Sequence, residues 1–139
     1  MMKNSYIAFT DGAYSSTRDQ GGLGIIILKN NKEVLRYSNM YKNTTNNQME
    51  LGAIIIALRM VKRKIDSLTI YTDSQYCIGC AIKGWKRKKN KVMWEEFDKQ
   101  YKRVKQLCPD IQFIHIKGHA GNKYNEIVDK LAVIASRRI

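Results

Sequence analysis

Two runs of strand-forming residues, Tyr6-Ile7-Ala8-Phe9-Thr10 and Leu68-Thr69-Ile70-Tyr71-Thr72, each lead directly into an aspartate, Asp11 and Asp73. Aspartate is depleted in strands, so its place at the end of two such runs needs a reason. Asp11 is followed by Gly12, and Asp-Gly is a common turn dipeptide, so one reading makes Asp11 the residue that stops the strand. The other reading makes it a carboxylate held on a rigid sheet and aimed at a site. If the two runs lie side by side and parallel, both carboxylates emerge at one edge of the sheet. Open α/β sheets place their sites there, beyond the carboxyl ends of the strands.

The chain between and after these runs supports such a sheet. Ser15–Gly22 is polar and glycine-rich and reads as a loop. Leu23–Lys29 and Glu33–Met40, separated by Asn30-Asn31-Lys32, read as an antiparallel hairpin. Thr45-Asn46-Asn47-Gln48 fits a capping box in which Gln48 reaches back to the helix start. The helix it opens runs to about Lys62 and is apolar nearly all round, as a buried helix is. Glu50 lies in its first turns. Ser74 caps a short helix to about Lys83, and Trp85–Lys91 is a basic segment. Val92–Leu107 is an amphipathic helix stopped by Pro109, and Ile111–Ile116 is a fifth strand. Lys117–Asn122 is a loop around His119, and Asn125–Ser136 is a last helix that carries Asp129. The order β-β-β-α-β-α-α-β-α predicts a mixed α/β sheet with helices packed on its faces, built as one domain over residues 1–139.

Asp11, Glu50, Asp73 and Asp129 can then meet at one place, four of only twelve acidic residues in a chain of formal charge +13. Neighbouring carboxylates repel and raise one another's pKa. A hard divalent cation relieves this, and Mg²⁺ prefers oxygen ligands while keeping room for water and substrate phosphates. Two such ions about 4 Å apart suit in-line displacement at a phosphodiester. The positive surface suits a polyanion, nucleic acid before an anionic membrane. Acidic centre and basic surroundings thus fit one substrate class.

Five motifs, Thr10-Asp11-Gly12, residues 44–51 (TTNNQMEL), 72–76 (TDSQY), 117–122 (KGHAGN) and 125–132 (NEIVDKLA), occur in this order. In this combination and spacing the chain resembles a type 1 ribonuclease H, the bacterial-type ribonuclease HI, over nearly its whole length. The resemblance implies a ribonuclease H-like fold: a five-stranded sheet of order 3-2-1-4-5, its first three strands antiparallel, with helices on both faces. It implies endonucleolytic hydrolysis of the RNA strand of RNA–DNA hybrids, leaving 5′-phosphate and 3′-hydroxyl ends, in the setting of DNA replication. Asp11, Glu50, Asp73 and Asp129 would be ligands of two Mg²⁺ ions, with Mn²⁺ as a substitute. His119 would assist proton transfer or product release, a role its ordinary pKa range suits.

The same resemblance implies that Asn46, Asn47 and Gln75 contact the hybrid through its minor groove. Amides offer donors and acceptors to base edges and 2′-hydroxyls. Thr45 and Asn90 would hold a phosphate of the DNA strand, Asn90 being aligned only through its spacing to Trp94. His115 is expected to serve structure. Many relatives carry Asn-Pro in the loop after the first aspartate; here the loop is Ser15-Ser16-Thr17-Arg18-Asp19, so the minor-groove contact falls to Thr17 or is lost. The long basic protrusion of some relatives is cut to Trp85–Lys91, which keeps the charge to meet DNA. No separate hybrid-binding domain is expected before the motifs, and limited processivity would follow.

Cys77, Cys80 and Cys108 are an odd number without framework spacing, as in a reducing, cytoplasmic compartment. Cys77 and Cys80 read as small apolar helix residues rather than a zinc or redox pair. Trp85 suits either burial or stacking against DNA. No signal peptide is expected, the longest apolar run (Ala53–Leu58) is too short to span a bilayer, and the charge favours a monomer. Two other readings stay open: a different nuclease of the same fold acting on duplex DNA or junctions, and a nucleic-acid-binding domain without catalysis.

Overall fold

The computed structural model describes residues 3–117 and 122–139. Its elements are β1 (Ser5–Ser15), β2 (Gln20–Lys29), β3 (Lys32–Lys42), α1 (Asn46–Arg59), β4 (Ser67–Thr72), α2 (Gln75–Ile82), α3 (Lys91–Leu107), β5 (Asp110–His115) and α4 (Lys123–Ser136). The strands form one sheet of order β3-β2-β1-β4-β5. β1 pairs antiparallel with β2, and β2 with β3. β4 lies parallel to β1 and β5 parallel to β4. Fold class and strand order match the expectation.

Two cores follow from the two-residue period of the strands. Ala8, Leu23, Ile25, Leu68 and Ile70 face α1, α2 and α3, joined by Leu51, Ile54, Leu58, Cys77, Trp94, Phe97 and Val104. Phe9, Ile26 and Leu28 face α4 through Val128, Ile127 and Leu131. β2 is buried almost throughout because helices cover both of its faces, whereas β1 is half-buried at its start.

One boundary differs from expectation in a way that matters. Asp11 does not end its strand. β1 continues through Gly12, Ala13 and Tyr14 to Ser15, and the expected loop begins only there. The extension is held by β2, whose Gly24, Leu23 and Gly22 pair with Asp11, Gly12 and Ala13. Pairing with β4, in contrast, stops at Phe9–Tyr71. Asp11 therefore sits two residues past the point where β1 loses its parallel neighbour, with backbone support on one side and an opening on the other.

Candidate active site

Glycines let the helices come close enough to deliver their acids. A Cβ on Gly12 would lie 2.3 Å from the Glu50 amide nitrogen, so the start of α1 rests directly on β1. Gly12 has no positive φ and does not turn the chain away, as its place after Asp11 suggests; it is a seat for Glu50. On the opposite face a Cβ on Gly22 would meet the Ala132 carbonyl and the Ser136 amide at 2.3 Å. That contact lays α4 along β2 and brings Asp129 towards Asp11.

Ligand oxygens of Asp11, Glu50 and Asp73 all lie within 4.8 Å of one another. Asp11 is 3% exposed and Glu50 8%. Burial, then the charge of Asp73, then a hydrogen bond with Asp129 push the Asp11 carboxyl up to about 9, although the Gly12 amide donates to its Oδ1 at 2.8 Å. Burial, then Asp73, push Glu50 up to about 8, against a lowering contact from the Ser74 hydroxyl. Asp129 stands at the exposed edge of the group. It lies outside the tight trio yet close enough to hydrogen bond with Asp11.

Local chemistry fixes Asp73 where β4 ends. Thr72 Oγ1 accepts the Ser74 amide at 3.1 Å, and Ser74 Oγ accepts the Cys77 amide at 3.0 Å and caps α2. The His115 ring nitrogen Nε2 lies 3.2 Å from the Asp73 carbonyl, a structural contact as expected for this residue. Asp73 Oδ1 is buried without a hydrogen-bond partner. An orphaned carboxylate oxygen is costly in a protein interior. Here it faces two further carboxylates, and none of the ion pairs found among the described residues involves the trio. A hard cation with oxygen preference fits this donor set.

Around the trio lie the residues implicated in substrate contact. Asn46, Asn47 and Gln75 are exposed at the starts of α1 and α2. Thr45 Oγ1 caps α1 by accepting the Gln48 amide at 3.1 Å. The Gln48 side chain does not close the expected capping box. Its Nε2 donates to Asn90 Oδ1 at 3.1 Å, and its Oε1 lies 3.1 Å from the Thr44 hydroxyl. Gln48 thus ties Thr45 to Asn90, which are distant in sequence. Asn90 has a left-handed backbone (φ 60°) and gives α3 no side-chain cap, because its side chain is already committed: Nδ2 donates to the Tyr76 hydroxyl at 3.0 Å. The same hydroxyl accepts Trp94 Nε1 at 2.9 Å. Tyr76 is a hub that sequence reading passed over; its place next to Gln75 was the available signal. Thr17 is exposed in the β1–β2 turn, beyond the end of β1. His119 lies outside the described residues.

Arg87 turns inward, its guanidinium 4.5 Å from the Trp94 ring centroid and its Nη1 2.7 Å from Asp98 Oδ2. Lys86, Lys88, Lys89 and Lys91 remain exposed, as does half of Trp85, whose ring covers Gly79. Cys77 and Cys80 are buried free thiols, and burial pushes Cys77 up to about 12, so they pack as apolar groups.

These features agree with comparisons to known proteins. The chain is 39% identical over 145 residues to the ribonuclease H of Trichodesmium erythraeum, covering 94% of this chain and 88% of the relative. It is 37% identical over 141 residues to ribonuclease HI of Synechocystis sp., covering 95% and 88%. The crystal structure of LC11-RNase H1 in complex with an RNA/DNA hybrid shares the fold, with a TM-score of 0.71 at 23% identity, over 94% of this chain and 95% of that one. The RNase H family model matches residues 3–137, and the chain belongs to that family.

Proposed function

We propose that the chain is a single catalytic domain that hydrolyses the RNA strand of RNA–DNA hybrids, leaving 5′-phosphate and 3′-hydroxyl ends. The observation that carries this is the Asp11–Glu50–Asp73 trio, with its oxygens within 4.8 Å and one of them buried and orphaned. Asp11, Glu50, Asp73 and, from its edge, Asp129 would hold two divalent cations, Mg²⁺ or in its place Mn²⁺. When bound, such ions supply Lewis acidity to the scissile phosphate and to the attacking water. The chain's own residues do the rest. Their carboxylates must be deprotonated for the site to load. Asn46, Asn47, Gln75 and Thr17 read the minor groove, where 2′-hydroxyls distinguish RNA from DNA. Thr45 and Asn90, held together by Gln48, take a phosphate of the DNA strand. His119 moves a proton or helps product leave. Exposed lysines of residues 86–91 hold the DNA backbone.

The resemblance to relatives named ribonuclease H and the fold shared with a hybrid-bound structure support the same reading. The buried free thiols suit a reducing cytoplasm, and the strong positive charge suits a monomer. Strand selectivity tests the proposal. An RNA–DNA hybrid, a DNA duplex and single-stranded RNA, each end-labelled, are incubated with the protein and Mg²⁺. Cleavage of the RNA in the hybrid alone, with 3′-hydroxyl ends, is expected; preference for duplex DNA would replace this reading with that of a DNA nuclease on the same fold.

A further inference from the structure

A second site adjoins the carboxylate centre. The β1–β2 turn and the C-terminal end of α4 enclose a surface cleft of about 420 Å³, lined among others by Ser15, Ser16, Thr17, Arg18 and Arg137. Two separate elements measure its distance from the trio. From Asp11 to Ser15 the strand advances about 13 Å, at ~3.3 Å per residue. From Asp129 to Arg137 the helix advances about 12 Å, at ~1.5 Å per residue. The cleft therefore lies about 12–13 Å beyond the acids, on the α4 face of the sheet. Thr45 and Asn90, the candidates for the DNA strand, lie across the trio at the starts of α1 and α3.

Its chemistry is that of an anion site. Arg18 and Arg137 are exposed, and neither is in an ion pair among the described residues. Guanidinium forks match the geometry of phosphate oxygens. Ser15 Oγ accepts the Arg18 amide at 3.4 Å, which folds the turn and leaves its hydroxyl hydrogen free. The acid of the turn, Asp19, is engaged by the Tyr14 hydroxyl and does not line the cleft. The other side is held in place by the seat of α4 on Gly22 and by the donation of Gln20 Nε2 to the Arg138 carbonyl.

We propose that this cleft binds a backbone phosphate of the RNA strand, clamped between Arg18 and Arg137, within about four nucleotides of the cleaved bond at ~3.4 Å per nucleotide. The inference rests on the hybrid reading above and adds a second grip on the cleaved strand. It gives the turn that lacks the relatives' Asn-Pro a charged role in substrate placement.

The test is binding of a hybrid of about twenty base pairs, followed by fluorescence anisotropy in EDTA so that nothing is cut. Each RNA phosphate in turn is replaced by a neutral methylphosphonate. Wild-type protein is expected to lose about tenfold in affinity at one position within four nucleotides of the cleavage point. The Arg18→Ala/Arg137→Ala protein binds unmodified hybrid more weakly and shows no further loss at that position. Its plot of log affinity against log salt is shallower by about 1–2, as expected for one or two lost phosphate contacts. Arg18→Lys/Arg137→Lys keeps most of the salt slope, which separates lost charge from misfolding. Identical methylphosphonate profiles in wild type and the double alanine variant would overturn the cleft. Absence of any hybrid binding by the wild type in EDTA, together with no cleavage of the hybrid in Mg²⁺, would overturn the proposed function itself.

Discussion

Asp11 and Glu50 hold their protons to unusually high pH because burial and Asp73 disfavour their charged forms. In an unfolded chain both would titrate near 4. Between about pH 4 and pH 9 the metal-free native state therefore binds protons that the unfolded state does not, and its stability falls as pH rises. Asp11→Asn removes the deeper of the two titrations. In EDTA the variant is expected to match the wild type near about pH 5 and to exceed it by about 1–3 kcal/mol near about pH 9, read by urea denaturation. Mg²⁺ should recover stability in the wild type, most strongly at the alkaline end, where the carboxylates are ready to bind. Parallel wild-type and Asp11→Asn curves would show that the cluster is not strained. Gly12 is the second decisive residue. Gly12→Ala places a methyl 2.3 Å from the Glu50 amide, so α1 must move. A cost of about 1–3 kcal/mol is expected in denaturation, as for other overpacked sites. Mg²⁺-dependent activity should fall as well, because Glu50 moves with the helix.

At the level of elements, the three-strand meander, the strand–helix alternation and the buried α1 were legible because each rests on local pattern. The capping oxygens of Thr45 and Ser74 were legible for the same reason. Most of what escaped was decided by neighbours distant in sequence, the local Asn122 cap of α4 being the exception. β1 runs past Asp11 only because β2 extends opposite it, and an Asp-Gly step reads locally as a stop. Gln48 leaves its capping box for Asn90, forty-two residues away. Asn122 starts α4 earlier than expected by accepting the Tyr124 and Asn125 amides, a cap that its residue type could have signalled. The Tyr76 hub was hidden because its partners come from α3 and the segment before it. Tyr76→Phe keeps the ring and removes the hydroxyl, leaving Trp94 Nε1 and Asn90 Nδ2 without that acceptor. A loss of about 1–3 kcal/mol is expected. Hybrid affinity should fall through the displaced Asn90, whereas cleavage of hybrid at saturating concentration should fall less. Equal loss in both would place the hub closer to the chemistry than Asn90 is.

For the whole molecule, the charge of +13 and the acidic trio act in opposite senses on the same polyanion. On the proposed function the lysines and arginines would hold the duplex at long range, and binding is expected to weaken steeply with salt, with a slope near −5 if about six phosphates are neutralised. Once deprotonated, the trio repels phosphate, so metal loading should strengthen hybrid binding as well as permit cleavage. The sheet carries both requirements: its split between β1 and β4 opens the site, and α1 and α4 close on it from opposite faces. The most direct test of this account is cleavage of a hybrid carrying labelled RNA, followed over a range of Mg²⁺ concentrations, for the wild type, Asp11→Asn and Asp73→Asn. RNA-strand cleavage by the wild type only, rising with Mg²⁺ and absent in EDTA, with each variant reduced by about a thousandfold or more, is the expected result. Undiminished cleavage by either variant, or cleavage in EDTA, would contradict it.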